Sequence, residues 1–319
     1  MAAAAALAHY LRLLTMMKRL AIFLLIFTAQ LFAAVPASAA LYITIVQGLG
    51  GDTVFAVKFN DQRRKIVDAS MTMTGEDMVK VFIDEEATRE NLLAHFSSLA
   101  ERMNADDRAA LYLIGHGSYD GEQYKFNIPG PDITDADLAE FLDSLPGQNH
   151  FLVNTSSASG SILENLENDE RIIITATRNG NEKNATEFGE FFAEALSSDI
   201  ADINKNNTVS IQEAFDFAER SVAEFFESEG KLATEHPQIR GEGSSSFSLA
   251  RLEAIEINTE DPRLNTLLTR RLELDAEIEQ LQLRRNEYTN ADYIQRLQAL
   301  ILESAQVSEQ IDALSEGSD

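Results

Sequence analysis

The stretch LYLIGHGSYDGEQ, residues 111–123, closes an apolar run on one histidine, His116, held between Gly115 and Gly117. A second apolar run ends in NTSSASGS, residues 154–161, where Thr155, Ser156, Ser157 and Ser159 offer hydroxyls. An imidazole and a hydroxyl brought to one place are the parts of a base and a nucleophile. A serine hydroxyl needs more than a nearby base, because the base must itself be oriented, usually by a buried acid, and the developing oxyanion must meet fixed donors. Asp120 and Glu122 stand near His116 in sequence, but an exposed flexible loop is a poor place from which to orient an imidazole. An isolated histidine, taken alone, reads as structural, with its ring bonded to a main-chain carbonyl.

A separate pattern lies near residue 200. Asp202, Asn204, Asn206, Thr208, Ser210 and Glu213 have the 1, 3, 5, 7, 9, 12 spacing of a calcium loop, with Thr208 contributing its carbonyl and Glu213 a bidentate carboxylate. Asn207 stands where glycine is expected at the sharp turn, a conformation asparagine tolerates less comfortably. Only Asp202 and Glu213 bring formal charge, so the expected affinity is weak, about 0.1 to 1 mM. The other reading of the same residues is an asparagine turn followed by a Ser210–Glu213 capping box. The pattern requires no cofactor, and weakly bound calcium is the one ion it suggests.

The elements that would position these groups follow from the apolar periodicity. Short β-branched runs recur at residues 41–47, 78–83, 110–114, 150–153 and 172–175, each ending in glycine, a small polar residue or an acid. Between them lie helical stripes such as Leu92, Leu93, Phe96 and Leu99, and Leu138, Phe141, Leu142 and Leu145 behind a cap at Thr134 or Asp135. Strand and helix in alternation predict an α/β fold, its mostly parallel sheet covered on both faces. Ligands meet such a sheet at the carboxyl ends of its strands. Four such ends are crowded with small residues, GLGGD at 48–52, GHGS at 115–118, NTSSASG at 154–160 and TATRNG at 175–180, so Gly50, Asp52 and Arg178 are expected to line a cleft with His116 and Ser157.

Beyond residue 250 the texture changes to two long heptad-like stripes, Leu267, Leu274, Ile278, Leu281 and Tyr288, then Ile294, Leu297, Ile301, Ile311 and Leu314. These predict a helical hairpin or short coiled coil over 251–319, appended to a main domain at 40–250. Arg271 and Arg285 fall in the seam and weaken a dimeric reading, so packing against the main domain stands beside self-association through these helices.

At the other end, Met17-Lys18-Arg19, an apolar run over 20–35 and Ala37-Ser38-Ala39 have the order of a secretory signal peptide cut after Ala39. The run is short for a membrane span, contains Gln30 and ends at Pro36, which argues against a stable anchor. The alanine-rich opening before Met16 reads as an upstream start codon that adds nothing a signal peptide needs. Loss of Arg12, Lys18 and Arg19 with this segment changes the formal charge from −26 to −29. Such a polyanion is repelled by nucleic acid and anionic lipid, and the remaining partners are peptides, proteins and cations. The chain has no cysteine, which removes disulfides, thiolate metal sites and any thiol nucleophile, and suits export to a bacterial periplasm.

GHGS at 115–118, SASGS at 157–161, ATREN at 87–91 and TEHPQ at 234–238 together resemble the legumain, caspase and gingipain-like cysteine peptidases, bacterial legumain-like proteins above all, over roughly residues 41–248. The resemblance implies a caspase-like three-layer fold. It also implies that His116 matches the catalytic base, that Gly117 matches an oxyanion donor, and that Ser157 stands where the family has its cysteine. Thiol chemistry tolerates a loosely coupled histidine, whereas a hydroxyl in a two-member arrangement does not. The expected function is therefore a peptidase homologue without turnover that binds a peptide or protein. The alternative is a peptidase or acyl hydrolase using Ser157 and His116, with Ser156, Thr155 and Ser159 as neighbouring hydroxyls. The exported protein is expected to begin at Ala40, which mass spectrometry of its intact amino terminus checks.

Overall fold

Leu41, Ile43 and Ile45 point to one side of a strand and Val46 to the other, and the same alternation recurs in each central strand. A strand with apolar residues on both faces must be covered twice. The computed structural model meets that requirement. In chain order its elements are β1 (Leu41–Gln47), α1 (Thr53–Ser70), β2 (Val79–Phe82), α2 (Arg89–Arg102), β3 (Arg108–Ile114), β4 (Gly117–Tyr119), β5 (Tyr124–Phe126), β6 (Ile133–Thr134), α3 (Asp135–Asp143) and β7 (His150–Asn154). There follow α4 (Leu163–Leu166), β8 (Arg171–Thr175), α5 (Phe188–Ala195), β9 (Thr208–Ser210), α6 (Ile211–Ser228), β10 (Gln238–Arg240), β11 (Ser248–Arg251), α7 (Pro262–Leu283) and α8 (Asn290–Glu316). The structure describes residues 39–147, 149–253, 259 and 261–316. The expected signal peptide lies outside the described residues except for Ala39. Among the described residues no helix is long and apolar enough to cross a membrane.

The main sheet has the order β10-β8-β7-β3-β1-β2. All neighbours are parallel except β10, which runs antiparallel to β8. One face is covered by α1, α5 and α6, whose Phe59, Ile66, Phe188, Phe192, Phe215 and Val222 pack with Tyr112, Phe151 and Ile174. The other is covered by α2, α3 and α4, with Leu92, Phe96, Phe141 and Leu166 on Leu111, Leu113 and Ile173. This is the mixed α/β, three-layer architecture expected from the sequence. Thr134 forms a capping box with Asp137 at the start of α3. Asp137 also receives both arms of Arg89, so the ATREN segment ties the first turns of α2 and α3 together. The small sheet β4-β5-β6 and the pair β9–β11 were not legible in the sequence. Their strands are two to four residues long, too short for a period to show.

The carboxy-terminal helices α7 and α8 form the expected hairpin, and α7 packs back on the sheet layer with Leu274 fully buried. Its anchor is ionic. Arg108, at the start of β3, donates to both carboxylate oxygens of Glu279 at 2.8 and 3.2 Å and lies over the ring of Phe247 at 4.5 Å. The same Glu279 accepts from the Ser248 main chain at 2.7 Å. Removing one partner of such a buried pair strands the other charge at a cost of about 3–5 kcal/mol, whereas replacing both with apolar groups costs far less. Glu279→Ala is therefore expected to lower unfolding free energy by about 3 kcal/mol in urea titrations, and Arg108→Met/Glu279→Leu to recover most of that loss.

Candidate functional site

Parallel pairing of β3 with β7, in the register Leu113↔Asn154, brings the ends of these strands side by side. Thr155 extends the contact beyond the ladder, both its N–H and its hydroxyl donating to the Leu113 carbonyl at 3.0 Å. The residues that follow, His116 on one strand and Ser157 on the other, meet at one edge of the sheet. Gly117 shows how close the approach is: a Cβ there would lie 2.4 Å from Ser156 Oγ, 2.6 Å from Ser157 O and 2.7 Å from the Tyr124 hydroxyl. Glycine is required at this position for space alone.

His116 is half-buried, its ring edge-on to Phe55 at 4.7 Å and to Phe59 at 5.1 Å. Its Nε2 lies 3.2 Å from the carbonyl of Gly50. A carbonyl only accepts, so this contact places the ring proton on Nε2 and leaves Nδ1 as the basic lone pair. Among the described residues no carboxylate is hydrogen-bonded to His116. Asp120 is occupied in its own turn by the N–H groups of Glu122 and Gln123 and by Lys125. Burial pushes His95 and His150 down to about 4; His95 Nε2 lies 2.9 Å from Thr44 Oγ1, and His150 Nδ1 accepts from the Ala109 N–H.

The hydroxyls sort themselves by their bonds. Thr155 is committed to the Leu113 carbonyl, and Ser159 to Thr177. Ser156 is fully buried and donates to the Ser157 carbonyl at 3.1 Å, so the Tyr124 hydroxyl, 2.7 Å away, must donate to it. Tyr124 in turn accepts from the Asn154 amide at 2.8 Å, and Asn154 Oδ1 accepts from the Ser156 N–H. Burial holds the Tyr124 phenol well above its usual range, which keeps this chain neutral. Among the described residues, Ser157 alone of the four has no side-chain hydrogen bond, and none joins it to His116. Tyr124 and Asn154 escaped the sequence reading because nothing in their local pattern marks two residues so far apart in the chain as partners.

The turn after Ser157 is tightly built. Ala158 has a left-handed backbone, φ 57°, which costs a non-glycine residue about 1 kcal/mol. Its N–H donates to the Glu182 carbonyl at 2.8 Å. Gly160 is pressed on the backbone of residues 177–179, where a Cβ would fall 2.3 Å from Thr177 O. Of the expected cleft residues, Gly50 supplies the carbonyl to His116, while Asp52 caps α1, accepting from the N–H groups of Val54 and Phe55. Arg178 lies beside the serine turn, 58% exposed, with its guanidinium 3.5 Å from Glu182.

The 202–213 loop folds on its own main-chain donors. Asp202 accepts from Asn206 and Asn207, and Glu213 from Ile203, Asn204 and Ser210, the last through a capping box at the start of α6. Lys205 and Asn207 take the left-handed turns. Asn206 Oδ1 accepts from the N–H and hydroxyl of Thr208. Among the described residues no group of three or more His, Cys, Asp or Glu could hold a metal ion.

The family model described as the peptidase C13 family matches residues 72–240. The chain belongs to that family. This family, the legumain family, is the one the GHGS, SASGS and TEHPQ segments resemble; the match begins after β1 and the Gly50 loop. No curated protein matches the chain.

One further group of the family region is set apart by its burial. Glu235, in TEHPQ, is 2% exposed and accepts from the N–H groups of Glu187 and Phe188 at the start of α5. Desolvation raises its pKa to about 7, with Glu187 adding to the rise and the two N–H bonds and Lys58 opposing it. Between about pH 4.5 and 7 the folded chain therefore keeps a proton that the unfolded chain releases, and this group's contribution to stability falls as pH rises through that window. Glu235→Gln is expected to gain about 2–3 kcal/mol relative to wild type between pH 5 and pH 8 in parallel urea titrations.

Proposed function

We propose that this legumain-family protein is exported and binds an extended peptide or protein segment at the His116–Ser157 edge without hydrolysing it. The observation that carries the proposal is the partner of the histidine. His116 is oriented by the Gly50 carbonyl and by two phenylalanine rings, with no carboxylate bonded to it among the described residues, and the resemblance puts a hydroxyl, that of Ser157, in the nucleophile position. A serine hydroxyl ordinarily relies on a buried carboxylate to orient the base and to stabilise the imidazolium that forms when the base takes its proton. A thiol needs less help, because a few per cent of it is already thiolate near neutral pH.

The second reading, a serine acyl hydrolase, has one observation in its favour: Nδ1 of His116 is the basic nitrogen, and the Ser157 hydroxyl is uncommitted among the described residues. The hairpin's ionic anchor is at Arg108, eight residues before His116 along an extended chain, or roughly 25 Å from the site. A fluorophosphonate probe separates the readings. Wild type is expected to remain unlabelled, and Ser157→Cys to gain alkylation by iodoacetamide and peptide cleavage. Labelling of wild type that disappears in both Ser157→Ala and His116→Ala would establish the hydrolase instead.

A further inference from the structure

The serine turn is held from both flanks by one neighbouring segment. On one side the Thr186 hydroxyl donates to the Thr155 carbonyl at 2.5 Å, and on the other the Ala158 N–H donates to the Glu182 carbonyl at 2.8 Å. The left-handed backbone of Ala158 thus depends on where the Glu182 carbonyl is placed. Glu182 is placed in turn by its own side chain, which is only 11% exposed. One carboxylate oxygen accepts from the Arg178 N–H at 2.8 Å and the His236 N–H at 3.1 Å. The other accepts from His236 Nδ1 at 2.6 Å, with the Arg178 guanidinium at 3.5 Å. Arg178 belongs to the turn that leads to Glu182. His236 belongs to a strap without regular structure, residues 231–237, that joins α6 to β10. The residue before it, Glu235, is bonded to the N–H groups of Glu187 and Phe188, immediately beyond Thr186. The strap therefore grips the 182–188 segment at both of the points from which that segment grips the serine turn.

We infer that Glu182 is a positioning residue, whose carboxylate clasps the 178–182 turn to the strap and so fixes the direction in which residue 157 presents its side chain to a ligand. The inference rests on the proposed reading of this edge as the ligand site. A carboxylate suits this place because one oxygen takes both main-chain N–H groups while the other faces the Arg178 guanidinium; an amide of the same shape would turn its NH2 toward that guanidinium and lose the charge that holds it. It also gives the TEHPQ segment, which contacts the serine turn only through intermediaries, a role at the site.

The absence of cysteine makes a direct test available, since Ser157→Cys carries a single thiol. The rate of its alkylation by iodoacetamide, followed against pH, has a midpoint set by local charge and a plateau, at full ionisation, set by access and direction. Adding Glu182→Gln is expected to change the plateau at least about threefold. Adding His236→Ala, which keeps the Glu182 charge but removes the ring from the clasp, is expected to move the plateau the same way by a smaller factor. Glu279→Gln, at the far end of β3, serves as the control for general loss of stability and is expected to leave the profile in place. Plateaus unchanged in both site variants, or moved equally by Glu279→Gln, would overturn the inference; should Glu182→Gln fail to fold, the His236→Ala plateau decides alone. Binding of a peptide library to the wild-type protein is measured separately. Its absence would remove the ligand reading while a shifted plateau left the positioning role of Glu182 standing.

Discussion

The alignment of β3 with β7 governs the site, because a parallel pair delivers both of its carboxyl ends to one edge and cannot deliver one without the other. With Leu113 opposite Asn154, the residues just past each strand are forced together. The space left between them is so small that Gly117 can carry no side chain. The two-sided burial that fixes this register comes from layers on opposite faces of the sheet, such as Phe96 stacked on Phe141 at 4.9 Å on one face and Phe188 near Phe192 on the other. A one-residue slip would exchange the two faces of a strand and expose one of these clusters.

Within that frame, the chemistry is limited by what each polar group is already doing. Tyr124, Asn154 and Ser156 form a closed, neutral chain under the turn. It satisfies groups that would otherwise be buried without partners, a requirement more costly to neglect than to meet. The consequence is selective. Three hydroxyls are consumed by structure, and among the described residues the Ser157 hydroxyl is the one of the four without a partner. His116 has no carboxylate bonded to it among the described residues, so an orienting acid and a thiol are both missing from this edge.

The hairpin and the strap show two ways of attaching later segments to the sheet. At the amino end of β3 a desolvated arginine–glutamate pair, supported by the Ser248 N–H, holds α7. At the carboxyl edge the strap is held by Glu235, which accepts from the main-chain N–H groups of Glu187 and Phe188, and by His236, whose N–H and ring donate to the Glu182 carboxylate. Hydrogen bonds to main chain fix position without needing a large apolar contact, which suits a short segment with few hydrophobic residues.

The central strands, the cap at Thr134, the hairpin and the placing of the GHGS and serine turns at one edge of the sheet were legible because each depends on local periodicity or on a strand-end position. The resemblance carried by GHGS and SASGS singled out Ser157 among its neighbours, but the reason it is free did not lie in those segments. It lies in Leu113, Tyr124 and Thr177, which engage Thr155, Ser156 and Ser159 from other parts of the chain and, among the described residues, leave the Ser157 hydroxyl alone. Likewise the sequence marked TEHPQ without saying what it holds, and marked the 202–213 loop without showing that its carboxylates accept main-chain N–H groups. By itself the chain determined its alternation of elements, its charge and the chemical types at the site, since these are properties of composition and spacing. Only the tertiary structure decided which groups remain uncommitted, because a donor or acceptor is free only when no partner reaches it, and partners are chosen by packing rather than by distance along the chain.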